Sequence, residues 1–369
     1  MTSSSFNRLK LDRPAFDAGI ENARSKAAVL LKSLAQLGDT RYHGFGFYLR
    51  KRFGCRVYKV TLHGGFTCPN RDGRVGFGGC TYCINESFSP NDTERRIPIA
   101  EQMLRGIEFY RRRYKAQKYI AYFQTFTNTY ADVETLKRRY DEALSVSDDI
   151  VGISIGTRPD CVPEEALDLV ESYSDRYEVW LEYGLQSIHD KTLGRVNRGH
   201  GLAAYMDAVD RTRKRNIRVC VHVILGLPDE NWADMMETAK FISKFDGLDS
   251  LKVHHLYVAE NTSLAQHYAD GLIQVLALED YVPLLCDFLE RIAPEISLQR
   301  LLGDTTSKLL IAPVWNVGKA AVLRMISDEF RRRGTCQGAR CTGLAESGVH
   351  YSNGRTLVDD SVERSEYSI

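Results

Sequence analysis

The chain of 369 residues is 43% hydrophobic and 26% charged, with a formal net charge of +1 and nine cysteines. That composition fits one large globular domain with an appendage, or two domains, and leaves no global positive field to attract nucleic acid. No run approaches the roughly 20 apolar residues that span a bilayer, and the start, MTSSSFNRLKLDRPAF, lacks the apolar centre of a secretory signal, so a cytoplasmic protein with reduced thiols is expected.

Residues 1–55 read as an N-terminal extension, with a helix over 16–37 and a Gly- and aromatic-rich stretch, RYHGFGFYLRKRFG, leading into the first strand. From 56 to 258 short β-rich runs alternate with amphipathic helical stretches. Strands are predicted at 56–62, 118–124, 149–156, 178–185, 218–226 and 251–258, and helices near 99–117, 132–145, 163–175, 202–215 and 232–245. Pro163 with Glu164 and Glu165, and Asn231 ahead of Trp232, mark helix starts. Alternation at this spacing implies parallel strands joined by right-handed crossovers. The predicted fold class is therefore α/β, a partial (β/α)6 TIM-like barrel over 56–258, with an open doubly wound sheet as the alternative on pattern alone. Either architecture places ligands beyond the C-terminal ends of the strands. A helix near 278–293, a strand at 297–303 and a helix near 317–333 predict a small C-terminal α/β subdomain over 259–335. Residues 336–369, rich in Gly and Ser at their start, read as a flexible tail.

Six of the nine cysteines are dispersed, but Cys68, Cys80 and Cys83 fall close together, in KVTLHGGFTCPNRDGRVGFGGCTYCINESF, directly after the first strand. Gly64, Gly65, Gly73, Gly76, Gly78 and Gly79 give this loop the freedom to wrap around something compact. Three thiolates spaced C-x11-C-x2-C suit an iron–sulfur cube with one iron left without a protein ligand. Zinc is the competing reading, because C-x2-C is also a zinc knuckle and His63 could complete a Cys3His set. A dinucleotide-phosphate loop does not fit, since no G-x-G-x-x-G joins a strand to a helix here.

The spacing, the position after the first barrel strand and the aromatic residue inside C-x2-C resemble the radical S-adenosylmethionine (SAM) superfamily. Within it, GFTCPNRDG followed by GGCTYC resembles the YhcC-type radical-SAM proteins, which are similar in turn to the Elongator catalytic subunit and oxygen-independent coproporphyrinogen oxidase. The resemblance covers roughly residues 40–335. It implies an enzyme whose Cys68, Cys80 and Cys83 hold a [4Fe–4S] cluster with SAM on the open iron. One electron, from a donor such as flavodoxin or ferredoxin, then yields a 5′-deoxyadenosyl radical that abstracts hydrogen from a substrate in the barrel. By the same resemblance Tyr82 lies near the adenine. Gln124 and Thr125 stand where the superfamily usually carries glycines and an acidic residue for the methionine amino group, a departure from its pattern. Arg158 is placed by chain position to meet a carboxylate, or else to pair with Asp160. Gln186 and Arg198 match residues that touch the SAM ribose and carboxylate, and the backbone near Ile224 would flank the adenine. On the sixth strand Lys252 and His254 share a face; turned inward, they would orient substrate or transfer a proton.

The basic runs Arg111–Arg113, Lys137–Arg139, Arg211–Arg215 and Arg331–Arg333 read as solvated helix ends on the face opposite the site. Arg71, Arg74, Arg95, Arg96, Lys191 and Arg195, on loops facing the barrel mouth, would accept a polyanion. The Elongator resemblance makes tRNA one such substrate, with a peptide or a small anionic metabolite as alternatives. Two readings from other classes stand beside the enzyme: a zinc-stabilised RNA-binding module and a non-catalytic Fe–S electron carrier.

Overall fold

The structure, a computed structural model, describes residues 9, 11, 40–84, 97–303 and 308–341. The helix expected over 16–37 lies outside them. In chain order α1 (Phe45–Phe53) precedes β1 (Val57–Leu62), α2 (Ile99–Tyr114), β2 (Lys118–Phe123), α3 (Val133–Leu144), β3 (Ile150–Thr157) and α4 (Glu164–Ser172). Then come β4 (Glu178–Gln186), α5 (Asp190–Arg195), α6 (Leu202–Thr212), β5 (Arg218–Leu225), α7 (Trp232–Lys244) and β6 (Ser250–His255). The chain continues through β7 (Val258–Ala259), α8 (Ser263–Ala269), α9 (Leu278–Leu289), β8 (Ser297–Arg300), β9 (Leu310–Ala312) and α10 (Lys319–Arg333).

Strands β1 to β6 pair in sequence order, all parallel, and β8 pairs parallel with β6 to complete a seven-stranded sheet. With helices on its outer face this is the expected α/β partial barrel, one strand larger than its pattern suggested. The extra strand comes from the segment expected to form a separate subdomain. Ser250 Oγ donates to Ser297 O at 2.7 Å, and Trp232 Nε1 donates to Asp287 Oδ2 at 2.8 Å, tying α7 to α9. The expected strand 251–258 is broken: β6 ends at His255, and Val258–Ala259 pairs antiparallel with β9 instead. The tail does not loosen at 336 either. Gln337 is fully buried, and its amide donates to Ala293 O and Ile296 O, each at 2.9 Å.

Strand parity sorts the side chains. On β4, Val179, Leu181, Tyr183 and Leu185 join the core beneath the helices, so Trp180, Glu182, Gly184 and Gln186 face the barrel interior. On β5, Val219, Val221, Val223 and Leu225 go outward, and Cys220, His222 and Ile224 go inward. Helix α1 closes the bottom of the barrel. Its Phe45 and Tyr48 rings meet Trp180 edge-on at 5.3 and 5.8 Å, in a cluster with Leu49, Val57, Ile120 and Cys220. The barrel therefore opens at the C-terminal ends of its strands.

Candidate active site

After β1 the cysteine loop folds back on itself. Arg71 N donates to Cys68 O at 2.8 Å, Val75 N to Pro69 O at 2.8 Å and Gly79 N to Asn70 O at 2.8 Å. Gly78 and Gly79 take φ of 76° and 84°, a conformation that admits glycine readily, and this return brings Cys80 and Cys83 to the cavity that Cys68 lines. The loop is clamped to the segment after α5: Thr81 N donates to Val196 O at 3.0 Å, Asn70 Nδ2 to Asn197 O at 2.6 Å and Asn197 Nδ2 to Gly79 O at 2.8 Å. Arg198 donates to Gly184 O at 2.6 Å and to Cys80 Sγ at 3.6 Å. Burial, with Cys80 beside it, pushes the Cys83 thiol up to about 11. The three sulfurs do not gather within 4.8 Å of one another; among the described residues the group that does is Glu182, Cys220 and His222. His63 is spent elsewhere, its Nδ1 accepting from Gly65 N at 3.0 Å.

The cavity beside this loop is open at the mouth. Its lining brings the three cysteines together with Tyr82, Gln124, Thr125, Arg158, Gln186, Arg198, Ile224, Lys252 and His254, the residues expected to hold the cluster and SAM or to act on the substrate. The post-strand turns are tightly specified. Thr125, Phe126 and Gln186 hold φ of 76°, 59° and 75°, unusual for residues with a Cβ and most of all for β-branched Thr. Asn128 Nδ2 fastens the first of these turns by donating to Phe123 O, Thr125 O and Gly156 O. Four buried polar atoms of cavity-lining residues, Tyr82 OH, Thr125 Oγ1, Thr127 Oγ1 and Arg198 Nε, have no hydrogen-bond partner among the described residues. Such atoms are rare in protein interiors and mark places where a ligand or water completes the bonding.

Arg158 takes the second of its two sequence readings. Its Nε and Nη2 donate to the Asp160 carboxylate at 2.9 and 2.8 Å, and Nη1 to Arg198 O at 2.8 Å, so its fork is spent on positioning the Arg198 backbone. The residues expected to receive a polyanion are scattered in role. Arg71 donates to Cys83 O, Arg74 lies over the Tyr130 ring at 5.7 Å, Arg195 reaches Asp229 at 3.5 Å and Lys191 is exposed. Arg95 and Arg96 lie outside the described residues. Among the helix-end runs, Arg112 is exposed, whereas Arg333 is buried and pairs with Asp287 and Glu290 at 2.8 and 3.2 Å. The reading of that last run as solvated fails at Arg333, because α10 turns this side chain toward α9.

The cavity floor carries a network that the sequence reading did not name. Glu182, wholly buried on β4, accepts from Lys59 (β1) and Lys252 (β6), from Ser154 Oγ (β3) at 2.6 Å and from His222 Nε2 (β5) at 2.8 Å. Lys252 also donates to Tyr122 OH (β2) at 2.8 Å and sits 4.2 Å from that ring's centroid. Burial would raise the Glu182 carboxyl, but Lys252 and Lys59 outweigh it and hold it well below the usual range. Burial lowers Lys252 to about 8 and His222 to about 4. Leu251 and Val253 join the core beneath the helices, so the face of β6 carrying Lys252 and His254 points inward; His255 also borders the cavity, and its ring lies 4.2 Å from that of Trp315. Two ammonium groups against Glu182 also make the Glu182–Cys220–His222 group a poor cation site.

A curled parallel sheet with a three-cysteine loop after its first strand defines an α/β partial-barrel protein whose cysteines line the cavity at its mouth. Comparison with known families agrees: the radical SAM superfamily model matches residues 68–242 and the radical SAM C-terminal domain model matches 248–332. Uncharacterized protein YtqA of Bacillus subtilis is 42% identical over 303 residues, 81% of this chain and 92% of that protein. Protein YhcC of Escherichia coli is 42% identical over 73% of this chain and 86% of its own length. Human Elongator complex protein 3 is 25% identical over 47% of this chain and 32% of its own length. In fold, the chain superposes on archaeal Methanocaldococcus infernus Elp3 with a TM-score of 0.59 at 16% identity, covering 77% of this chain and 64% of that one. The chain belongs to the radical SAM superfamily, whose members use a [4Fe–4S] cluster and SAM. Among the described residues no helix is long and apolar enough to cross a membrane.

Proposed function

We propose that this chain is a radical SAM enzyme that holds a [4Fe–4S] cluster on Cys68, Cys80 and Cys83, SAM in the adjoining cavity, and its substrate between SAM and the barrel floor. The observation that carries this reading is the cysteine trio itself: three thiols of one glycine-rich loop lining one cavity at the barrel mouth. Bound together, the cluster and SAM supply a 5′-deoxyadenosyl radical. The protein's part is to orient the reactants and exclude water. Tyr82 and Ile224 offer apolar surface beside the cysteines, while Thr125 Oγ1, Gln186 and Arg198 Nε offer polar contacts. Lys252, held near 8 by burial, can keep or release a proton at Nζ on the cavity floor, next to His254. An electron donor of the flavodoxin or ferredoxin kind is required. For the substrate, tRNA is the macromolecular candidate, and it rests on the Elongator resemblance.

The test is anaerobic reconstitution of the full chain with iron and sulfide, followed by reduction in the presence of SAM. Wild type is expected to show cluster absorbance and to form 5′-deoxyadenosine. Cys68→Ala, Cys80→Ala and Cys83→Ala lose both, and Cys55→Ala keeps both. A protein that holds one zinc per chain and takes up no iron after the zinc is removed overturns the reading.

A further inference from the structure

At the end of β8 the sheet departs from regular pairing. Leu251 pairs with Leu298, and both face the core beneath the helices; the next rung pairs Lys252 with Arg300, leaving Gln299 as an inserted residue. Simple alternation from Leu298 would send Arg300 outward, toward the helices. The bulge re-aims it, so that Arg300 lines the cavity. The inserted residue is used as well: Gln299 Oε1 accepts from Lys59 Nζ at 2.6 Å, bridging the two edge strands of the sheet. Bulges of this kind concentrate beside active sites, where they redirect a side chain.

The redirected side chain lands beside a like charge. Arg300 stands across the ladder from Lys252 on the inner face, and like charges in that position repel. Glu182 does not relieve them both. One of its oxygens takes Lys59 and Ser154, and the other takes Lys252 and His222. Among the described residues no hydrogen bond or ion pair reaches the Arg300 guanidinium, although its neighbours Lys252, His222 and Tyr122 are all engaged. His254, on the same cavity wall, brings no negative charge. The floor therefore sets three cations, Lys59, Lys252 and Arg300, against one carboxylate, and leaves the forked one open.

We propose that Arg300 receives an oxyanion of the substrate, a carboxylate or a phosphate, at the cavity floor, with Lys252 as the second cation of the site. The planar fork of a guanidinium matches the paired oxygens of either group, and a bulge that turns it inward without a partner fits a contact completed by a ligand. The substrate would enter with its acidic group leading, leaving its remainder toward the cysteine loop. This deepens the proposed function and rests on the cavity being a substrate cavity. SAM itself carries a carboxylate, so the test separates the two sources.

Inorganic phosphate, acetate and SAM are titrated separately, by calorimetry at constant ionic strength set with chloride, into the reconstituted full chain and into Arg300→Gln and Arg300→Met. Wild type is expected to bind phosphate or acetate, and both variants to weaken that binding by about tenfold or more. SAM affinity stays the same in all three. The variants lose a repelled, unpartnered cation, so they melt at or above wild type in chloride, and only wild type gains stability from phosphate. The proposal is overturned by the absence of phosphate and acetate binding in wild type, by equal binding in the variants, or by a parallel fall in SAM affinity, which would assign Arg300 to the cofactor. Its failure is distinct from that of the enzyme reading. A protein that takes up no iron yet binds phosphate through Arg300 refutes only the latter, and a cluster-bearing protein indifferent to Arg300 refutes only the former.

Discussion

Glu182 holds two ammonium groups and an imidazole inside a barrel, with no solvent at its carboxylate. A buried ionic group of this kind costs little net stability only while every partner is present. Glu182→Gln leaves Lys59 and Lys252 as buried, uncompensated charges, and such a break costs roughly 3–5 kcal/mol. Urea unfolding at neutral pH measures it, and a loss under about 1 kcal/mol would mean that water or an anion already shares the charge. The sequence pointed mainly to the C-terminal ends of the strands and the turns beyond them. Glu182 sits deeper in its strand, yet it shares parity with Gln186, four residues later, and that parity was the signal that could have found it. The same applies to Lys59 and His222. Arg158 shows the opposite case, where the sequence offered two partners and only coordinates could choose Asp160.

The loops after β4 and β5 are coupled by Glu230, which sits between β5 and α7, is buried, and accepts a hydrogen bond from Ser187 Oγ. Burial raises its carboxyl to about 7, with the Ser187 hydrogen bond opposing the shift. A carboxyl raised in the fold binds its proton more tightly there than in the unfolded chain. The stability it contributes is complete below about pH 4.5 and is lost as pH rises through about 7. Glu230→Gln, which cannot ionise, is therefore expected to gain on wild type by about 2–3 kcal/mol between pH 5 and pH 8, read from urea unfolding at both values. A constant difference across that range would place the ordinary carboxyl value in the folded state. Elements such as β4 and β5 were legible because their apolar alternation is long and regular. Strand β8 was legible as a strand, but SLQR is four residues with a bulge, and neither its pairing with β6 nor the inward turn of Arg300 leaves a periodic trace.

The whole molecule raises the question of where one folding unit ends. The two family models divide the chain between residues 242 and 248, at the junction of α7 and β6. The sheet does not divide there, since β6 and β8 continue it, and one core runs from Val60 and Leu62 through Val253 and Leu298 to Ile326 and Phe330. The floor network crosses the same boundary, because Lys59 on β1 bonds Gln299, and Glu182 on β4 bonds Lys252. A fragment of residues 1–246 would keep the cysteine loop but leave β5 as a long apolar edge strand, the template on which chains aggregate. It would also strip Glu182 and Lys59 of partners. Such a fragment is expected to lack cooperative unfolding and to associate, whereas the full chain unfolds in one transition with equal calorimetric and van't Hoff enthalpies. Two resolved transitions in the full chain, with the fragment reproducing the first, would show instead that the C-terminal segment is an independent unit laid against a complete barrel.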